Sequence, residues 1–408
     1  FVFSELVKWS PLSLGKLRLS YAKAGSDLDP YLTSFTYRVG GVYGNNSTLY
    51  VPDELINPNI QPSFAHSYEA GIDLRFLKDR LGLSFTWYQQ INKNQIIRLD
   101  VSGTSGYGSA RINAGEIQNK GIELSVSGSP VKTKEFSWDA IFNIARNKNK
   151  VVELYPGMDV YTHDQNRYSG VDVFLNSYVG GSFGDLIGKA YQRDEATGKI
   201  LLNDNNLPLY TQANHNFGSV LPKFTGGFQN TFRFGGFNLG AMIDFQSGGQ
   251  FFSWTQMMAV KTGLAEITAA TNDNGKNVRD PLADGGGVKV TGIRASDKTE
   301  VTAYVDAKAY YRTTLGTHVY EEWLYDASYI KLRELRLGYT FGKSVLGKLP
   351  FSSVNLSLIA RNPVMIWQKA PKGIDPSELS TGSAPISWLE TGGLNTVRSF
   401  GANLIINF

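Results

Sequence analysis

The sequence predicts an all-β protein, a transmembrane antiparallel β-barrel, and three observations predict it. Apolar and polar residues alternate with a period of two in ten separate stretches. The connections between those stretches alternate between short and long. The 408 residues carry 12% aromatic side chains and 43 glycines, with no Pro/Ser linker to divide them. Strands of about ten residues with one apolar face, short turns at one end and long loops at the other are the pattern of an outer-membrane barrel.

The stretches come in order. "GKLRLSYAK" is the first, and in "YEAGIDLRF" Tyr68, Ala70, Ile72, Leu74 and Phe76 oppose Glu69, Gly71, Asp73 and Arg75. "RLGLSFTWYQ" sets Leu81, Leu83, Phe85 and Trp87 against Arg80, Gly82, Ser84, Thr86 and Tyr88. "KGIELSVS" places Ile122, Leu124 and Val126 on one face, and "FSWDAIFNI" does the same with Phe136, Trp138, Ala140, Phe142 and Ile144. "FTGGFQNTFRF", "GFNLGAMIDF", "SYIKLRELRLGYTF" and "SVNLSLIARN" follow, and "FGANLIINF" ends the chain.

Turn chemistry supports the pairing. Gly235-Gly236 between Phe234 and Phe237 is a two-residue hairpin signal that leaves both rings on one face. Phe76 and Leu81 flank a four-residue loop in matching phase. One stretch breaks phase: Ile330 and Leu332 share one parity, Leu335, Leu337, Tyr339 and Phe341 the other, and a β-bulge near Arg333-Glu334 would reconcile them. The short connections are 77–80, 128–135, 235–236 and 342–351; the long ones are 25–65, 92–116, 147–223, 248–327 and 363–397. With the short turns periplasmic, the last strand descends and Phe408 falls in the inner aromatic girdle, as the aromatic C-terminal residue that assembly machinery reads.

This topology expects Leu74, Leu83, Leu124, Phe142, Phe232, Leu239, Leu356 and Leu404 to face lipid. Glu69, Asp73, Arg75, Glu123, Asp139 and Asp244 should face the lumen. Composition excludes other classes. No run of about eighteen apolar residues offers a transmembrane helix. No cysteine is available for disulfides or thiolate metal sites, and a net charge of +4 on this length gives no reason to expect nucleic acid. The opening "FVFSELVKWSPLS" has no signal-peptide pattern, so the chain reads as a piece of a longer polypeptide.

Catalysis finds little support, and no cofactor or metal is expected. His66, His163, His215 and His318 are scattered, without His-Glu-x-x-His spacing. "GTSGYGSA" lacks the Lys-Ser/Thr of a phosphate loop, and "NDNGKNVRD" lacks the closing Glu of a calcium loop, although Asp273 or Asp280 could still serve calcium.

Several runs resemble SusC/RagA-like TonB-dependent transporters. "NPNIQPSFAHSYEAGIDLRFLKDRLGLSFTWYQ" resembles the family's Asn-Pro stretch leading through a strand and tight turn to an aromatic return strand. "INAGEIQNKGIELSVSG" is similar to its Asn-Lys-Gly-hydrophobic-Glu motif, and "LPKFTGGFQNTFRFGGFNLGAMIDFQSGGQ" to its Pro-x-Phe-x-Gly-Gly hairpin. "DASYIKLRELRLGYTF" and "NTVRSFGANLIINF" resemble its last strands, while "ARNPVMIW" departs from the family's Asn-Leu-Phe-like stretch.

The resemblance implies that residues 1–408 are the C-terminal part of a plugged barrel of about 22 strands. Signal sequence, TonB box and plug would then lie N-terminal to Phe1. It implies an importer of a bulky nutrient, an oligosaccharide or oligopeptide, driven by the TonB complex and covered by a SusD-like lipoprotein lid. Such a barrel would sit in the bacterial outer membrane, among lipid and lipopolysaccharide. A passive porin and a surface adhesin are the alternatives; loops as long as 147–223 and 248–327 exceed what a simple pore requires. Loops 248–327 and 363–397 are the expected lid contact, with Trp254, Tyr311, Trp323 and Trp388 as candidate anchors or substrate-stacking rings.

Overall fold

The computed structural model describes residues 1–408 apart from Lys8, Ser10, Asp29, Tyr31, Leu32, Ser169, Gly170, Ser383 and Asn395. Ten long strands form one sheet: β1 (Leu12–Ser26), β2 (Ser63–Phe76), β3 (Leu81–Lys93), β4 (Glu116–Lys132) and β5 (Phe136–Glu153), then β6 (Phe224–Phe234), β7 (Phe237–Ser247), β8 (Tyr329–Gly342), β9 (Ser353–Gln368) and β10 (Ser399–Asn407). Order in the sheet is order in the chain. Each neighbour is therefore reached by the next connection, without a crossover. These are the ten stretches of alternating polarity, lengthened by a few residues at their ends.

Cα packing divides the chain into two compact units, one of residues 1–130, 141–161 and 178–183, the other of 131–140, 162–177 and 184–408. In the first, antiparallel register fixes which side chains share a face. Leu17, Ile72 and Phe85 lie opposite one another in β1, β2 and β3, and Phe85 faces Leu124 in β4. The opposite face is polar. Arg18 grips Asp73 with Nε at 2.9 Å and Nη2 at 3.0 Å, Nη2 also reaches Thr86 Oγ1 at 3.0 Å, and Ser84 Oγ donates to Asp73 at 2.7 Å. The tight turn after β2 is strained: Leu77, Lys78 and Asp79 all take positive φ.

The Asn-Lys-Gly motif has a structural explanation here. Asn113 joins three segments, accepting from Gln61 N at 2.8 Å and donating to Gln61 O and Asn94 O. Asn119 Oδ1 accepts from Asn147 at 3.1 Å and Asn149 at 2.8 Å, an amide ladder across β4 and β5. Gly121 leaves room for the Tyr88 ring, and a Cβ there would also lie 2.6 Å from Arg146 O.

In the second unit the apolar face holds Phe232, Leu239, Leu337, Leu358 and Ala402, each opposite the next. Gly235, with φ 53°, begins the hairpin that brings Phe234 opposite Phe237, since a two-residue turn of this kind needs a positive φ at its first position. The bulge in β8 is where the phase break predicts it. Ile243 pairs with Leu332 and Met242 with Glu334, so Arg333 is the extra residue. Arg333 and Glu334 thereby both turn to the polar face, Arg333 to Asp244 at 2.9 Å and Glu334 to Arg361 at 3.4 Å. Rings gather at the short-turn end: Phe237 on Tyr339, Tyr339 on Phe341, and Phe408 on Phe351.

Burial is inverted relative to a water-soluble sheet protein. The apolar face stays bare, with Leu19 75%, Leu358 62% and Leu404 58% exposed. The buried core lies instead in the connections. Its main cluster includes Val173, Leu175, Leu186, Phe252, Met257, Val290, Trp323 and Trp388. An apolar strip one side-chain layer deep that meets no protein is the surface a strand presents to lipid.

Candidate functional site

The long connections carry their own secondary structure. Within the second unit, Val288–Arg294 and Glu300–Val305 form a hairpin joined in parallel by Leu201–Leu202, and Gln250–Ser253 pairs with Leu324–Asp326 and Leu389–Glu390. Long structureless loops are rare in compact folds, and these follow the rule. The longest helical pieces of the body are α1 (Trp254–Thr262) and a π-helical segment, Lys308–Leu315. Ser253 caps α1, its Oγ accepting from Gln256 N at 3.2 Å. Glu390 reinforces that cap, receiving Thr255 Oγ1 at 2.6 Å and Thr255 N at 3.3 Å, an acid at the positive end of the helix.

The four aromatic candidates converge on this body rather than lining an open rim. Trp388 is fully enclosed, and its Nε1 donates to Asp164 Oδ2 at 3.2 Å. Trp323 is buried, with Nε1 donating to Leu315 O at 3.2 Å. Tyr311 is buried on the π-helical segment, and its hydroxyl donates to Ile267 O at 3.1 Å. Trp254 opens α1 and is partly buried against the same cluster. Each buried ring meets its polar need internally, as an interior Trp or Tyr must.

Titratable groups in the body follow its packing. Burial, with Glu322 nearby, pushes the Tyr310 and Tyr325 hydroxyls up to about 12. Burial pushes the His163 imidazole down to about 4, where its Nε2 meets Ser177 Oγ at 2.7 Å. His318 stacks on Tyr210. Asp273 is taken by Lys289 and Tyr304, and Asp280 accepts from Asn277 N at 3.1 Å. Among the described residues no three His, Asp or Glu side chains gather as metal ligands.

Sequence reasoning missed one buried ion pair. Lys331 Nζ, on the polar phase of β8, reaches Asp375 Oδ2 at 2.6 Å, with side chains 3% and 13% exposed. Ser377 and Thr396 oxygens complete the lysine's shell, each at 3.0 Å. Burial raises the Asp375 carboxyl, but hydrogen bonds from Lys331, Thr396 and Ser377 outweigh it and hold it at about 2. Beside this pair Phe251, Ala327, Ala370 and Ile374 pack into a small second cluster, so the connection 369–398 is tied down by both oil and charge. The only sequence sign was a lysine in a strand, which ordinarily reads as lumen-facing and solvated.

Comparison with known proteins accords with this geometry. TonB-dependent receptor P3 of Formosa agariphila is 25% identical over 421 residues, covering 96% of this chain and 39% of that protein. The TonB-dependent receptor SusC of Bacteroides thetaiotaomicron is 22% identical and matches 85% of this chain. Among solved structures, the RagAB peptide importer in its closed-closed state superposes with a TM-score of 0.74 at 19% identity, over 100% of this chain and 42% of that one. The chain thus spans between 32% and 42% of the length of these relatives. The model of the TonB dependent receptor-like β-barrel matches residues 6–346. The chain belongs to the TonB-dependent receptor β-barrel family, and its place is the bacterial outer membrane.

Proposed function

We propose that the whole protein containing this chain imports a bulky nutrient, an oligosaccharide or oligopeptide, using TonB energy and a SusD-like surface lipoprotein as lid. The observation that carries this reading is the folded body built from the connections of the second unit, with its own core and helices. A diffusion pore has no need of such a body, whereas a barrel that receives a partner and a large cargo does. Membership of the receptor family, and relatives named for receptors and an importer rather than enzymes, support it.

Among the described residues, β1 and β10 each have a strand neighbour in the sheet on one side only. Each unpaired backbone group costs several kcal/mol in hydrocarbon. The proposal therefore includes further strands, with a plug and TonB box, from the remainder of the polypeptide. For the lid contact it assigns the surface carried by 248–327 and 363–397, where Leu264 is 84% and Leu394 96% exposed. Trp254 would touch the lid or cargo at this surface, with Tyr311, Trp323 and Trp388 holding it in shape from beneath. Gentle detergent extraction of the tagged intact protein, at native expression and low salt, tests the reading. A surface lipoprotein should co-purify in stoichiometric amount; a barrel that purifies alone defeats the lid.

A further inference from the structure

A cleft of about 570 Å³ opens in the second unit between α1, the π-helical segment and the segment 268–279. Val260, Ala307 and Tyr311, all buried, form its apolar base. Its mouth is basic: Lys261, Arg279, Lys308 and Arg312 line it against one carboxylate, Asp306. That carboxylate is already engaged, accepting from Ala309 N at 2.8 Å.

Among the described residues Lys261, Arg279 and Lys308 have no carboxylate within salt-bridge reach. Arg279 is held in place by neutral oxygens, with Nε donating to Thr268 O and Nη2 to Thr268 Oγ1, both at 2.6 Å. Its charge is thus fixed at the mouth and left uncompensated. Burial, followed by the like charge of Arg312, holds the Lys261 ammonium below its usual range. Elsewhere in the same loops cations are matched, as in Lys199–Glu300, Lys289–Asp273 and Lys369–Asp326. A concentration of unmatched cations over an apolar base is stabilised by an incoming anion.

We infer that this cleft binds the carboxylate or sulfate of a small soluble organic acid, with its ring or chain on the apolar base and its acid group at the lysines. The volume lies within the range of small-molecule sites, about 300–1,000 Å³. The bond between the Tyr311 hydroxyl and Ile267 O fixes that ring in the base, so the shape is preformed. This inference does not depend on energised import, because binding is read on the purified protein.

The test is calorimetric titration of the intact protein in detergent with glucuronate, glucose 6-sulfate and glucose. Glucuronate or the sulfate ester should bind, glucose should not, and affinity should fall as salt rises. Lys261→Gln with Lys308→Gln should weaken binding at least about fivefold, while Lys348→Gln, in the turn after β8, should leave it unchanged. If the double variant does not assemble, Lys308→Gln alone, at an exposed position, should show a loss of about threefold. Glucose binding as well as glucuronate, or full affinity in the lysine variants, would overturn the assignment. Lysine-dependent binding of lipopolysaccharide micelles without binding of either soluble acid would overturn it too.

Discussion

Removing the Lys331 ammonium should loosen the connection 369–398 far more than the loss of one surface charge would. In Lys331→Met the Asp375 carboxylate keeps Ser377 N at 3.0 Å, Ser377 Oγ at 2.7 Å and Thr396 Oγ1 at 2.5 Å, but loses its cation. Breaking a buried pair from one side costs about 3–5 kcal/mol, and the three surviving bonds place this variant at the lower end, about 3. Asp375→Asn leaves the lysine, at 3% exposure, without a counter-charge and belongs at the upper end, about 4–5. Joining the two changes removes both charges and should return stability to within about 1 kcal/mol of the parent, since neither buried charge is then left without its counter-charge. Cleavage of 369–398 by protease, in the detergent-solubilised intact protein, reads this local opening. About 3 kcal/mol corresponds to roughly a hundredfold faster cleavage of Lys331→Met, and the double variant should be cut at nearly the parent rate. A double variant as labile as the two single changes summed would refute the pairing, as would single variants cut at the parent rate.

Other consequences are open to direct measurement. Arg in place of Leu124, on the bare face of β4, should cost about 2–4 kcal/mol of barrel stability, and Arg in place of Ser125 much less; equal losses of heat-resistant barrel in both would contradict the assigned faces. Trp388→Ala should cost about 3–5 kcal/mol, felt as protease sensitivity of the loop body with the heat-resistant sheet preserved. Because the folded His163 pKa lies below its unfolded value of 6.5, at about 4, stability should be full above pH 6.5 and fall as pH drops toward 4. That fall, about 2 kcal/mol after allowance for partial exposure, should flatten in His163→Gln when loop protection is followed against pH. Cysteine at Asn274 should react with an impermeant reagent on intact cells, and cysteine at Lys348 should not; the reverse pattern would invert the topology.

The sheet was almost fully legible because lipid and lumen impose a strict period of two, and even its irregularity left a trace. The parity change between Leu332 and Leu335 is visible as letters, and the bulge at Arg333 is its structural form. The loop body was not legible for a matching reason. Its elements are short, such as Leu201–Leu202 and Leu389–Glu390, and they pair with partners far along the chain, Ile293–Arg294 and Phe252–Ser253. No local period announces a two-residue strand. The aromatic candidates Tyr311, Trp323 and Trp388 show the same limit: composition marked the residues, but only the fold reveals that their faces are covered. Lys331 was hidden by its strand, since alternation assigns it to the polar face and says nothing of the Asp375 waiting there.

Energised import is tested most directly by uptake. Cells expressing the whole protein would be given separate labelled pools of oligosaccharides and oligopeptides, with and without a functional TonB complex. One pool should accumulate, and that accumulation should vanish both when TonB is removed and when the gene is deleted. Accumulation that needs the gene but continues at full rate without TonB would contradict the account and make the barrel a passive pore.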